Sequence, residues 1–70
     1  MAKYVGLTDD PVRRWREHGK PADWSQQQFT TEAVARNWEQ VMLGSGYEGG
    51  PGGDGWRYGY TYTITTQTNQ

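Results

Sequence analysis

Tyr4-Val5-Gly6-Leu7-Thr8-Asp9-Asp10-Pro11-Val12-Arg13-Arg14-Trp15-Arg16-Glu17-His18 reads as a strand that breaks into a capped helix. Lys3 to Leu7 alternates in the manner of a short strand, with Tyr4 and Gly6 on one side and Lys3, Val5 and Leu7 on the other. Thr8, Asp9 and Asp10 are turn and N-cap residues, because their short side chains accept from the free amides of a helix start. Pro11 suits the first helical position, where a missing N–H costs nothing. The helix spans about 10–18, and Gly19 then Pro21 stop it. Arg14 and His18 lie four apart and share a face. A phenol, a guanidinium and an imidazole are thus drawn towards one region.

Working outward, 70 residues make one small domain near the lower limit for independent folding. We assign it to 1–65, with 66–70 as a disordered tail. Only 33% of the residues are hydrophobic, so four Trp, five Tyr and one Phe must do most of the burying. A homodimer would add to so small a core. There is no Cys, which excludes disulfides and thiolate metal sites. No apolar run reaches the length of a signal peptide or a membrane span, so the expected location is cytoplasmic and no membrane partner is expected.

The net charge of −1 lends no bulk support to nucleic-acid binding. Distribution differs from the total, for Lys3, Arg13, Arg14, Arg16 and Lys20 crowd the first twenty residues. A local basic patch and a solvated helix face both account for this.

Residues 19–26 form a loop in which Trp24 plugs the core, and 27–29 is a short strand. Thr30 and Thr31 offer an N-cap to a second helix over about 31–43. Val34, Trp38, Val41 and Met42 fit its buried stripe, as Val12 and Trp15 do for the first helix. Glu39 sits at the stripe's margin, while Glu32 and Arg36 pair outside. Seven of the twelve residues from Gly44 to Gly55 are Gly, an irregular connection without the Gly-Lys-Ser/Thr of a phosphate loop. Over 56–64, Trp56, Tyr58, Tyr60, Tyr62 and Ile64 alternate with smaller residues, which predicts a half-buried strand with an aromatic face. The expected fold is α+β: a three-stranded, mainly antiparallel sheet with two helices.

Tyr4-Val5-Gly6, the polar turn, the Arg13-Arg14 pair and His18 four residues beyond Arg14 resemble the second half of the GIY-YIG nuclease signature. The Gly-Ile-Tyr strand that normally lies upstream does not precede Tyr4. The resemblance leaves two sources for that strand, a partner chain or a circularly permuted arrangement. In the latter the C-terminal strand Gly59-Tyr60-Thr61-Tyr62 pairs with Tyr4 to Leu7, and Tyr60 or Tyr62 stands where the family's other Tyr stands.

The resemblance also implies metal-dependent endonucleolytic hydrolysis of DNA phosphodiesters. It gives Arg14 the scissile phosphate, Glu39 a divalent metal (Mg²⁺ or Mn²⁺), Tyr4 proton transfer or water positioning, and His18 a supporting role. Tyr60 joins this catalytic set, with Lys3, Arg13 and Arg16 as substrate-binding cations. Such a set is chemically sufficient, since a guanidinium meets two phosphoryl oxygens and a carboxylate is the natural ligand of a hard cation. Each residue also has a plainer role: a solvated Arg14 or Glu39, a His18 favoured by the helix dipole, a Tyr4 held in the core. Two rivals follow, a non-catalytic module that binds nucleic acid or protein, and a structural domain that dimerises through its final strand.

Overall fold

In the computed structural model, which describes residues 2–49, 55–66 and 68, local signals and long-range pairing agree over most of the chain. Strand β1 covers Lys3–Thr8 and leads into helix α1, Pro11–Glu17. The Asp10 side chain caps α1 by accepting from Arg13 N, with Pro at its start. Helix α1 ends at His18, and Gly19 turns the chain at φ 87°. Strand β2 is Ser25–Gln28, helix α2 is Glu32–Gly44 with Thr31 as N-cap, and strand β3 is Tyr58–Thr63.

The three strands form one sheet in the order β1-β3-β2, both pairings antiparallel. The fold is α+β, one open sheet with two helices. The C-terminal strand is central. Tyr62 lies opposite Tyr4, and Tyr60 lies opposite both Gly6 and Gln26. β3 pairs with β1 along Tyr58–Thr63 and with β2 along Tyr58–Thr61.

β2 starts two residues earlier than expected and consists of poor strand formers. Context overrides propensity here. Four residues pair with the central strand, and Phe29, just beyond, donates its N–H to Arg57 O at 2.8 Å while its ring meets Trp38 at 5.3 Å. The outer edge of β1 is covered rather than free. Val5 N donates to Glu48 O, and Glu48 N donates to Lys3 O, which extends the ladder by one bridge.

The sheet carries different cores on its two faces. Tyr4, Gly6, Tyr60 and Tyr62 share one face, which α1 and Trp24 cover. Val5 and Leu7 point the other way and are buried, as is Ala35 of α2. A side-chain carbon at Gly59, which alternates with Tyr60, would run into Trp38 and Phe29, so α2 covers this second face. Two parts of the expected apolar stripes are corrected. Val34 and Val41 are 53% and 58% exposed, and Val12 is 56% exposed. Trp38 and Met42 of the expected stripe face the sheet together with Ala35, and Gly59 leaves room for the Trp38 ring.

Residues 50–54, the middle of the Gly-rich connection, and 67, 69 and 70 of the tail lie outside the described residues. Thr65 and Thr68 close a hydrogen-bonded turn. Among the described residues no helix is long and apolar enough to cross a membrane.

Candidate functional site

Gly6 is where the site begins. A side-chain carbon there would collide with the Tyr60 hydroxyl and its ring, so only glycine lets that phenol lie across β1. From this position Tyr60 Oη is 2.9 Å from His18 Nε2, and His18 Nδ1 is 2.7 Å from Tyr62 Oη. His18 is only 3% exposed, although it stands at the end of a surface helix. A neutral imidazole has one donor and one acceptor nitrogen, so one tyrosine donates to His18 and the other accepts from it. The Tyr4 ring closes the group, 5.0 Å from His18 and 5.3 Å from Tyr62. Trp24 stacks on Tyr60 at 4.3 Å and seals the side opposite Gly6, the plug expected of it.

The Arg14 guanidinium lies near the same hydroxyl, close enough for each group to shift the other's ionisation. Its Nη1 donates to Glu17 Oε1 at 2.7 Å, while its buried Nε has no acceptor. Burial opposes the guanidinium's charge, but the Tyr60 and Glu17 contacts leave its pKa above the ordinary value. Burial pushes the Tyr60 phenol up against the opposing pull of Arg14. Burial first, and then the neighbouring Tyr4 and Tyr60, carry Tyr62 well above the ordinary phenol value. Both tyrosines are therefore neutral hydroxyls at pH 7. A hydrogen-bonded chain runs from Tyr60 through His18 to Tyr62, with the partly exposed Arg14 guanidinium beside its Tyr60 end.

The expected site residues divide into two groups. Tyr4, Arg14, His18 and Tyr60 come together, with Tyr62 as a further member. Glu39 does not join them. It lies on α2, which covers the opposite face of the sheet, and its carboxylate is 3.8 Å from Arg36. Arg13 is two-thirds exposed beside Glu17, and Arg16 is exposed on the last turn of α1. Lys3 begins β1, where its charge helps hold the Asp23 carboxylate low.

The carboxylate that meets Arg14 is Glu17, which also accepts from Arg13 Nε at 3.2 Å. The Arg13–Glu17 pair has the i,i+4 spacing of a helical ion pair. The second contact was missed, although Arg14 and Glu17 stand at an equally favourable separation of three.

A divalent cation does not fit this cluster as arranged. Its donors are phenols, an imidazole and a guanidinium, and its nearest carboxylate is held by two arginines. Among the described residues no group of three His, Cys, Asp or Glu side chains stands ready to hold a metal. The arrangement can accept an oxyanion at Arg14 and buffer the hydrogen bonding of Tyr60 through His18.

Compared with known proteins, the chain matches no family model, no curated protein and no solved structure.

Proposed function

We propose that this chain is a GIY-YIG-like domain in permuted strand order that engages DNA phosphodiesters at Arg14, with the buried Tyr60 behind it. The observation that carries the reading is the convergence of Tyr4, Arg14, His18 and Tyr60 from three separate elements. The resemblance in Tyr4 to His18 supports it, as does the central place of the strand that bears Tyr60. Arg14 offers a planar donor set to phosphate oxygens, and Arg13 and Arg16 flank it on α1. Tyr60, hydrogen-bonded to His18, lies beside that guanidinium.

Binding ranks ahead of hydrolysis because of Glu39. A carboxylate on the far side of the sheet does not place a metal against Arg14. Metal-dependent hydrolysis is the second reading, favoured by the Tyr60–His18–Tyr62 chain, which exceeds what simple phosphate binding requires.

A titration of a labelled oligodeoxynucleotide at several salt concentrations tests the first reading. Affinity is expected to fall linearly on a log–log salt plot, with a slope of about −1 to −3 for a few phosphate contacts. Absence of binding at low salt overturns it. Plasmid nicking in Mg²⁺ or Mn²⁺, lost in Arg14→Ala and in Glu39→Ala, would raise hydrolysis above binding.

A further inference from the structure

We propose that Arg13 and Arg14 form an oxyanion seat that Glu17 fills in the unliganded chain, and that an arriving phosphate takes the carboxylate's place. The inference deepens the phosphodiester reading and rests on it for the identity of the ligand. Glu17 sits between two guanidinia, 3.2 Å from Arg13 Nε and 2.7 Å from Arg14 Nη1. Its two oxygens imitate two phosphate oxygens, one to each arginine. Hydrogen bonds from Arg13 and then Arg14 hold its pKa below the ordinary carboxylate value, so at neutral pH the occupant is an anion.

Two features make the occupant exchangeable. Glu17 is 42% exposed and Arg13 is 67% exposed, so both ion pairs are solvated and individually weak. Arg14 is also imperfectly served, because its Nε is buried without an acceptor while Nη1 is taken. An oxyanion that draws the guanidinium outward supplies the missing acceptor and meets the planar donor edge with two oxygens. Glu17 swings into solvent on the exposed side of α1. The carboxylate thus weakens anion binding in general and leaves the seat to ligands that can engage both arginines at once.

The experiment compares the full chain with Glu17→Gln, Glu32→Gln and Glu17→Gln/Arg14→Ala. Glu32 is the control, an exposed carboxylate on α2 paired to Arg36, whose loss changes the net charge equally. Two probes are titrated at low salt: inorganic phosphate, followed by chemical shifts of the arginine side chains, and a labelled oligodeoxynucleotide, followed by anisotropy.

Glu17→Gln should bind both about fivefold more tightly, the order expected for removing one solvated charge a few ångströms away. Glu32→Gln should change affinity by less than about twofold, since its charge is remote and screened. The gain should vanish when Arg14 is also removed. Equal gains in the two Gln variants, or a gain that survives without Arg14, overturn the seat. Arg14-dependent oligonucleotide binding with no gain in Glu17→Gln overturns the seat and leaves the phosphodiester reading standing. Tighter phosphate binding without oligonucleotide binding upholds the seat and removes DNA as its ligand.

Discussion

The Tyr60 hydroxyl occupies the space that a side chain at Gly6 would need, and this one substitution of space links β1 to β3 across the site. Gly6→Ala is expected to push Tyr60 away from His18 and to overpack the sheet, at a cost of about 1–3 kcal/mol. In a domain this small that lowers the melting midpoint by roughly 5–20 °C, read by circular dichroism. An unchanged midpoint would mean that the phenol does not rest on Gly6.

His18 ties two buried tyrosines together, so its removal takes one hydrogen bond from each hydroxyl. His18→Phe roughly keeps the ring volume and should cost about 2–4 kcal/mol, the sum expected when two buried groups each lose one hydrogen bond. Tyr62→Phe removes one partner only and should cost about half as much. Denaturant titration of both variants checks the ratio, and equal, small effects would remove the chain from the account.

On the other face, Gly59→Ala should destabilise by a similar margin, about 1–3 kcal/mol, because the added carbon meets Trp38 and Phe29. Its effect on oligonucleotide affinity should be under twofold once the protein is folded, since α2 lies away from Arg14. Val41→Lys, at a position 58% exposed, should leave stability within about 0.5 kcal/mol.

The pH profile of stability should be a plateau with two falling limbs. Asp9 is held low first by the Arg57 backbone N–H, and Asp23 first by the Thr63 hydroxyl. Carboxylates with a depressed folded-state pKa contribute stability above their unfolded value of 3.8, and that contribution is lost as pH falls below it. Burial raises Tyr60 and Tyr62, so their contribution is complete below 10.0 and is lost as pH rises beyond it. Melting midpoints between pH 2 and 11 check both limbs. Asp23→Asn should flatten the acid limb, and a midpoint that rises on acidification would reverse the assignment.

Much of this was readable before any coordinates. Asp10, Pro11 and Gly19 mark the bounds of α1 by local chemistry, and alternating tyrosines mark β3. The pairing of β3 with β1 followed from the strand that Tyr4 to Leu7 lacked. What stayed hidden depends on contacts between distant segments. Ser25 to Gln28 becomes a strand only because β3 lies beside it, and Val34 and Val41 face outward while Ala35, on the neighbouring row, is buried. Spacing brought Arg14 and His18 to one face, yet it could not show that Glu39 and Arg14 lie across the sheet from each other. Only the placement of α2 decides that.

The central claim is that Arg14 beside Tyr60 receives a phosphate of DNA. Anisotropy of a labelled oligonucleotide, measured for the intact chain, Arg14→Ala and Arg36→Ala at one low salt concentration, tests it most directly. Arg36 is the matched control, an arginine of equal charge placed on α2. The account predicts at least a tenfold loss for Arg14→Ala, the scale of a charge-assisted bidentate contact, and less than about twofold for Arg36→Ala. Equal losses in the two variants, with both proteins folded, would contradict it.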